Sequence, residues 1–198
     1  MATDKEIYFV VNKLDNFNKS EDNIQQTLLH VREELLEICF HHSIICPISA
    51  YAGYLAKEVL WESELDEEEW DEFNRLSRKL KKASFRLSDY YPSYTYQEEI
   101  PLHFENTERS EKAYHLLKHS GLLSLENCLL NSSTSEYEAI SSEMQIEQDT
   151  ENSRYDDKNE LIVNVVATTS AGKSTLINAL LREKLIPSSN EACTATIT

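Results

Sequence analysis

The feature that most constrains this chain is an apolar run that turns through small residues into a helix. It reads Leu161-Ile-Val-Asn-Val-Val166, then Ala167-Thr-Thr-Ser-Ala-Gly-Lys-Ser174, then a helical stretch carrying Asn178, Ala179, Leu180 and Leu181. A β-branched run bounded by such a loop predicts a buried strand. Where a strand passes through small residues into a helix, successive backbone N–H groups and the helix N-terminus converge on one point, and that point suits a phosphate. Lys173 is placed to reach β- and γ-phosphates as a point charge, and the Ser174 hydroxyl to bind Mg2+. Ser170, Ala171, Gly172 and Thr175 complete the expected phosphate cradle. The usual pattern opens with glycine where this chain has Ala167, so the turn must avoid positive φ there.

A second constellation lies at the other end. Ile7-Tyr-Phe-Val-Val11 predicts another buried parallel strand and stops at Asn12-Lys-Leu-Asp15. A carboxylate placed like that of Asp15 accepts hydrogen bonds from guanine N1 and its exocyclic amine. Adenine offers neither donor at those positions, which disfavours an ATP-using reading. Ser20 is positioned to cap a helix with apolar residues Ile24, Leu28, Val31 and Leu35, and a strand follows at 43–48. Strand, helix, strand is a βαβ unit with a right-handed crossover. Ser49 and Ala50, after that strand, fit a companion loop whose backbone amide meets guanine O6.

Residues 52–88 are expected to be helical, acidic from Glu62 to Glu72 and basic from Arg75 to Lys82, with Trp70, Phe73, Leu76 and Leu80 as the apolar stripe. Tyr90, Tyr91, Tyr94 and Tyr96 sit in a loop that either packs or meets a partner. Helices are predicted over 108–119 and 122–130, broken at Ser120-Gly121. His115 and His119 have a metal-compatible spacing, but no ligand set accompanies them. Residues 136–160 hold nine acidic residues against Arg154 and Lys158, which reads as a tether. Pro187 to Asn190 reads as a turn. The net charge of −16 argues against a nucleic-acid partner and against direct adhesion to anionic lipid. Cys39, Cys46, Cys128 and Cys193 form no CxxC pair and are expected to be reduced, mostly buried thiols of a cytosolic protein. No apolar run reaches the ~20 residues of a membrane span, and the acidic start is unlike a targeting peptide.

VVATTSAGKSTLINALLREKLIPSSNEACTATIT, at the core of residues 161–198, resembles the start of a bacterial dynamin-like GTPase domain; YFVVNKLD and CPISAYAGYLAK, within residues 5–130, resemble its second half. The resemblance implies an α/β fold: a GTPase-type P-loop three-layer sandwich, incomplete or circularly permuted, with extra helices after the second strand. It implies a guanine-recognition half over 1–130, an acidic linker over 131–160, and a phosphate-loop and first-switch half over 161–198. It implies GTP or GDP as ligand, Mg2+ held by Ser174 and Thr194, and a monovalent cation near Ser170, which balances charge at the β–γ bridge. Lys173, Ser170 and Thr194 become the catalytic group, and Asn12, Lys13, Asp15, Ser49 and Ala50 the guanine group. A homodimer or an intact homologue is the implied partner. The implied location is cytoplasmic, peripheral to membrane in a complex, with membrane contact only through parts absent from this chain.

Several departures accompany the resemblance. The motif order is inverted. Thr169 stands where a longer water-orienting glutamine is found in eukaryotic members. The family's Asp-x-x-Gly is absent: Gly53, Gly121 and Gly172 are preceded three residues earlier by Ala50, Lys118 and Thr169. With that motif go strands that flank the phosphate loop, including the one between it and the strand before Asn12. The expectation is a fragment or truncated permutation with exposed strand edges, poorly stable as a monomer, and with weak or no turnover. A catalytically inactive interaction module remains the alternative.

Overall fold

The computed structural model describes residues 7–18, 23–41, 43–91, 107–131, 165–166, 168 and 170–186. Strand β1 (Ile7–Val11) and strand β2 (Ser43–Pro47) pair in parallel, Ile7 opposite Ser43 and Val11 opposite Pro47. Helix α1 (Ile24–Glu37) lies between them in sequence, so the βαβ unit forms as its apolar spacing requires. Its cap is Asn23, whose side chain accepts from the Gln26 amide at 3.2 Å; Ser20 lies outside the described residues.

The expected continuous helix over 52–88 is instead two helices and two short 3-10 turns. Helix α2 (Ala50–Leu60) ends at Trp61, and Glu62 turns the chain with φ 59°. Helix α3 (Glu67–Leu80) restarts with a reciprocal capping box between Asp66 and Glu69. Glu67, Glu68 and Glu69 in its first turn, with Arg78 and Lys79 in its last, complement the helix dipole. The 3-10 turns Ala83–Phe85 and Leu87–Tyr90 follow. Helix α4 (Glu108–His119) and helix α5 (residues 122–131) are separated at Ser120 and Gly121. Helix α6 (Lys173–Leu181) completes the order.

Helix α2 is the centre of the molecule. Ala50, Ala52, Gly53, Leu55 and Ala56 are buried along it, and their small size lets α4 and α6 approach closely. Phe73, Leu76 and Leu80 from α3, Leu116 and Leu117 from α4, and Leu122 and Leu125 from α5 fill the core around it. Gly121 has φ 75°, and a Cβ there would lie 2.2 Å from the Pro47 carbonyl oxygen, so only glycine allows the α4–α5 turn to sit under the end of β2.

Other expectations change. Strand β1 is half-buried, with Ile7 45% exposed, because among the described residues it has β2 alone as a ladder partner. The predicted strand 161–166 is described only at Val165 and Val166, which are not in a strand, and Val166 is 93% exposed. Cys46 and Cys128 are buried but Cys39 is exposed. Tyr91 is buried and Tyr90 half-buried, so this part of the tyrosine loop packs. Tyr94, Tyr96, the tether, Cys193 and the turn at Pro187 lie outside the described residues. Among those described, no helix is long and apolar enough to cross a membrane.

Candidate functional site

The loop before α6 carries two residues in the left-handed region, Ser170 at φ 62° and Gly172 at φ 87°. The Ala171 amide donates to the Thr168 carbonyl at 3.4 Å, and the helix begins as the Leu176 amide donates to Gly172 O at 2.9 Å. The first-turn amides of α6 have no acceptor inside the helix, and with the helix dipole they favour an anion. Lys173 arches back over the loop, its Nζ donating to Thr168 O at 2.9 Å. Ser174 and Thr175 stand half-buried in the first turn.

One amide side chain ties this loop to the other end of the sequence. Asn12 Nδ2 donates to Ala171 O at 3.1 Å, across 159 residues. Its Oδ1 accepts from the Ala50 amide at 2.9 Å. Asn12 thus joins the segment after β1, the segment after β2 and the phosphate-type loop. Gly172 is required twice here: by its positive φ, and because a Cβ would stand 2.5 Å from Asn12 Nδ2. That same point is 3.7 Å from Lys13 Cε, so the lysine stem lies beside the loop.

Local backbone geometry explains how Asn12 and Lys13 reach that position. Ile48 N–H donates to Val11 O at 2.8 Å, continuing the ladder past β2, and Leu14 is fully buried. Lys13 takes φ 65° so that the chain can leave the strand and bury Leu14 one residue later. Asp15 is only 7% exposed. Lys79 Nζ clamps the turn, donating to the carbonyls of Asp15 and Phe17, each at 2.6 Å. Arg75 feels the Asp15 carboxylate: its guanidinium pKa is raised first by the hydrogen bond to Glu72, then by the charges of Glu72 and Asp15.

The structure brings together Asn12, Lys13, Ala50, Ala171 and Gly172. Ser49 is set apart: its Oγ caps α2 by accepting from Ala52 N at 3.2 Å, and its own amide donates to Ser120 O at 2.9 Å. Asp15 belongs to the turn clamped by Lys79 and, among the described residues, has no hydrogen bond to the α6 loop. Thr194, Ala167 and Thr169 lie outside the described residues. His115 and His119 stack at 5.9 Å, and among the described residues no group of three His, Cys, Asp or Glu side chains is arranged for a metal.

Lys57 and Glu126, which the sequence does not single out, anchor α6, and Asn178 holds the chain that follows it. Lys57, 2% exposed, donates from Nζ to Ala179 O at 2.6 Å and forms an ion pair with Glu126. Burial pulls its pKa down, the Glu126 carboxylate opposes that, and Arg182 adds to the lowering. A buried ammonium at the C-terminal end of α6 complements the dipole whose positive end faces the loop. Asn178, 2% exposed, grips the returning chain: its Nδ2 donates to Ile186 O at 2.7 Å and its Oδ1 accepts from Ile186 N at 3.0 Å. The visible signal was the Lys57-Glu58 pair set between the apolar Ala50–Ala56 run and Val59.

Residues 163–198 match the family model described as the dynamin family. This stretch is similar to that family over 36 of the 198 residues. Neither curated proteins nor solved structures give a match to the chain. The matched stretch contains the α6 loop and the whole of α6, the part of the chain that Asn12 and Lys57 hold.

Proposed function

We propose that this chain is a guanine-nucleotide-binding segment of a dynamin-like GTPase, in which the phosphate loop and the guanine-reading loop share one site despite their inverted order. The observation that supports this most is the Asn12 side chain, bonded at once to the phosphate-type loop and to the Ala50 loop. In this reading Ser170, Ala171, Gly172, Lys173, Ser174 and Thr175 hold the phosphates. Asn12 fixes the loops, the Lys13 stem flanks the base, and Asp15 reads the guanine edge; the expected contact from the Ser49–Ala50 loop is not kept, because its two amides donate to Ser120 O and Asn12 Oδ1. Lys173 leaves the Thr168 carbonyl, 2.9 Å away, to meet the β- and γ-phosphates. Its charge there stabilises the transition state as water attacks the γ-phosphate in line.

Mg2+, when bound, supplies charge neutralisation between the β- and γ-phosphates. The half-buried Ser174 hydroxyl in the first turn of α6 fits that role, with Thr194 as the second protein ligand. Ser170, on the loop's left-handed turn, is the residue to balance charge at the β–γ bridge together with a monovalent cation. A homodimer or an intact homologue is the proposed partner, and the cytoplasm the proposed location. A second reading, nucleotide binding without turnover, is favoured by one observation: no glycine in the chain has an aspartate three residues before it.

The test is a titration of fluorescent GTP into the full chain and into Lys173→Ala. Loss of one charge-assisted contact to phosphate weakens binding by about tenfold or more. Equal affinity in both proteins contradicts the proposed site. Phosphate release then separates the two readings, since only a GTPase shows release above the Lys173→Ala level.

A further inference from the structure

We propose a second anion site on α3, distinct from the phosphate-type loop, that takes the phosphate group of a small ligand or, as a local exception to the net charge of −16, of a lipid headgroup. The chain carries 35 acidic against 19 basic residues, so cations on its surface should find carboxylate partners easily. One cavity runs against that trend. It has a volume of about 420 Å³ and is lined by Phe17, Asn18, Arg75, Arg78, Lys79, Lys82 and Phe85. Four cations and, among the described residues, no carboxylate line it. Arg75 pairs with Glu72 and Lys79 with main-chain carbonyls, whereas neither Arg78 nor Lys82 forms an ion pair among the described residues.

Arg78 and Lys82 are the two that lack a described counter-charge, and an anion between them would relieve their repulsion. Three features suit phosphate in particular. The Arg78 guanidinium, held by a 3.2 Å bond from its Nε to Asn74 O, presents its remaining donors in a fixed fork. Lys79 lies 5.0 Å from the centre of the Phe85 ring, and the aromatic walls of Phe85 and Phe17 lower the local dielectric and strengthen the field of the cations. The volume is close to the lower end of small-molecule pockets, large enough for a phosphate or pyrophosphate group. None of the lining residues belongs to the α6 loop, so the two anion sites are separable by mutation.

The experiment is calorimetric titration of inorganic pyrophosphate into the full chain carrying Lys173→Ala, which weakens binding at the α6 loop. The same titration is made with Arg78→Gln and Lys82→Gln added. In parallel, sedimentation uses neutral phosphatidylcholine vesicles with and without a phosphorylated inositol lipid. Arg78 and Lys82 are exposed, so the neutral pair should fold, and an unchanged melting curve verifies it. The expected result is binding that falls about tenfold or more for the neutral pair, as for loss of charge-assisted hydrogen bonds. Pyrophosphate binding alone identifies a free phosphate as the source; binding of the phosphorylated vesicles alone identifies a headgroup. Absence of both, or binding equally strong in the neutral pair, overturns the proposal.

Discussion

Residues 7–131 and residues 170–186 are held in place by different means. The first region builds the core itself: Leu55, Phe73, Leu76, Leu116 and Leu122 are all buried within it. Among the described residues the second adds Leu176 and Ala179 to that cluster, with Leu180 packed against it, while Leu181 and Leu185 remain exposed. Two polar contacts complete its attachment, Asn12 to Ala171 and Lys57 to Ala179, while Asn178 to Ile186 holds the region's own returning chain. The loop before α6 is therefore a docked segment. Apolar burial is non-directional, so it tolerates sliding, whereas these polar contacts fix position and make the loop's register sensitive to single atoms.

The two tryptophans report the regions separately. Trp70 packs edge-on against Phe73 in the core, and Trp61 lies under Arg182 at the end of α6. The largest expected effect is Phe73→Ala, which costs about 3–5 kcal/mol by emptying a core site and lowers the urea midpoints of both reporters. Next is Lys57→Met. Removing one partner of a buried pair costs up to about 3–5 kcal/mol, reduced here to about 2–3 because Glu126 keeps some access to water. The Trp61 transition should then precede that of Trp70; a joint shift would mean the docked segment is an integral part of the core.

Asn12→Ala comes third. It leaves the Ala50 amide and the Ala171 carbonyl without their partner, for about 1–3 kcal/mol, read mainly as weaker nucleotide binding with the Trp70 transition unchanged. The smallest effect is at Glu72, whose carboxyl is held below its usual range first by the Arg75 hydrogen bond. Its folded value lies below the unfolded one, so the stabilisation is present above the unfolded value and fades as pH falls through the folded one. The pair is partly exposed, so Glu72→Gln changes stability by only about 0.3–0.5 kcal/mol, seen as a shallower acid limb in the urea midpoint against pH.

What was legible in the sequence was local. β1, β2, α4 and the Ser120-Gly121 break follow from runs and turn residues whose partners lie within a few positions. The α2–α3 break was also written locally, as Asp66 with Glu69 three residues on, but it was masked by the surrounding acidic run. Long-range facts were not legible. The β-branched run at 161–166 reads as a strand, yet its described residues, Val165 and Val166, are not in one, and pairing depends on a neighbour that periodicity cannot supply. Asn12 and Asp15 sit in one motif, but only the fold shows that Asn12 joins two loops while Asp15 is clamped by Lys79. Lys57 looks like one more helix lysine until Ala179, 122 residues away, is seen against it.

The central claim is that these two regions make one guanine-reading site, and selectivity tests it most directly. GDP and ADP are titrated calorimetrically, with Mg2+, into the full chain and into Asp15→Ala. Two hydrogen bonds to a carboxylate separate the bases by about 100-fold or more. The account predicts that preference for GDP in the unaltered chain and its collapse in Asp15→Ala, with ADP binding unchanged. Equal binding of GDP and ADP by the unaltered chain would contradict it.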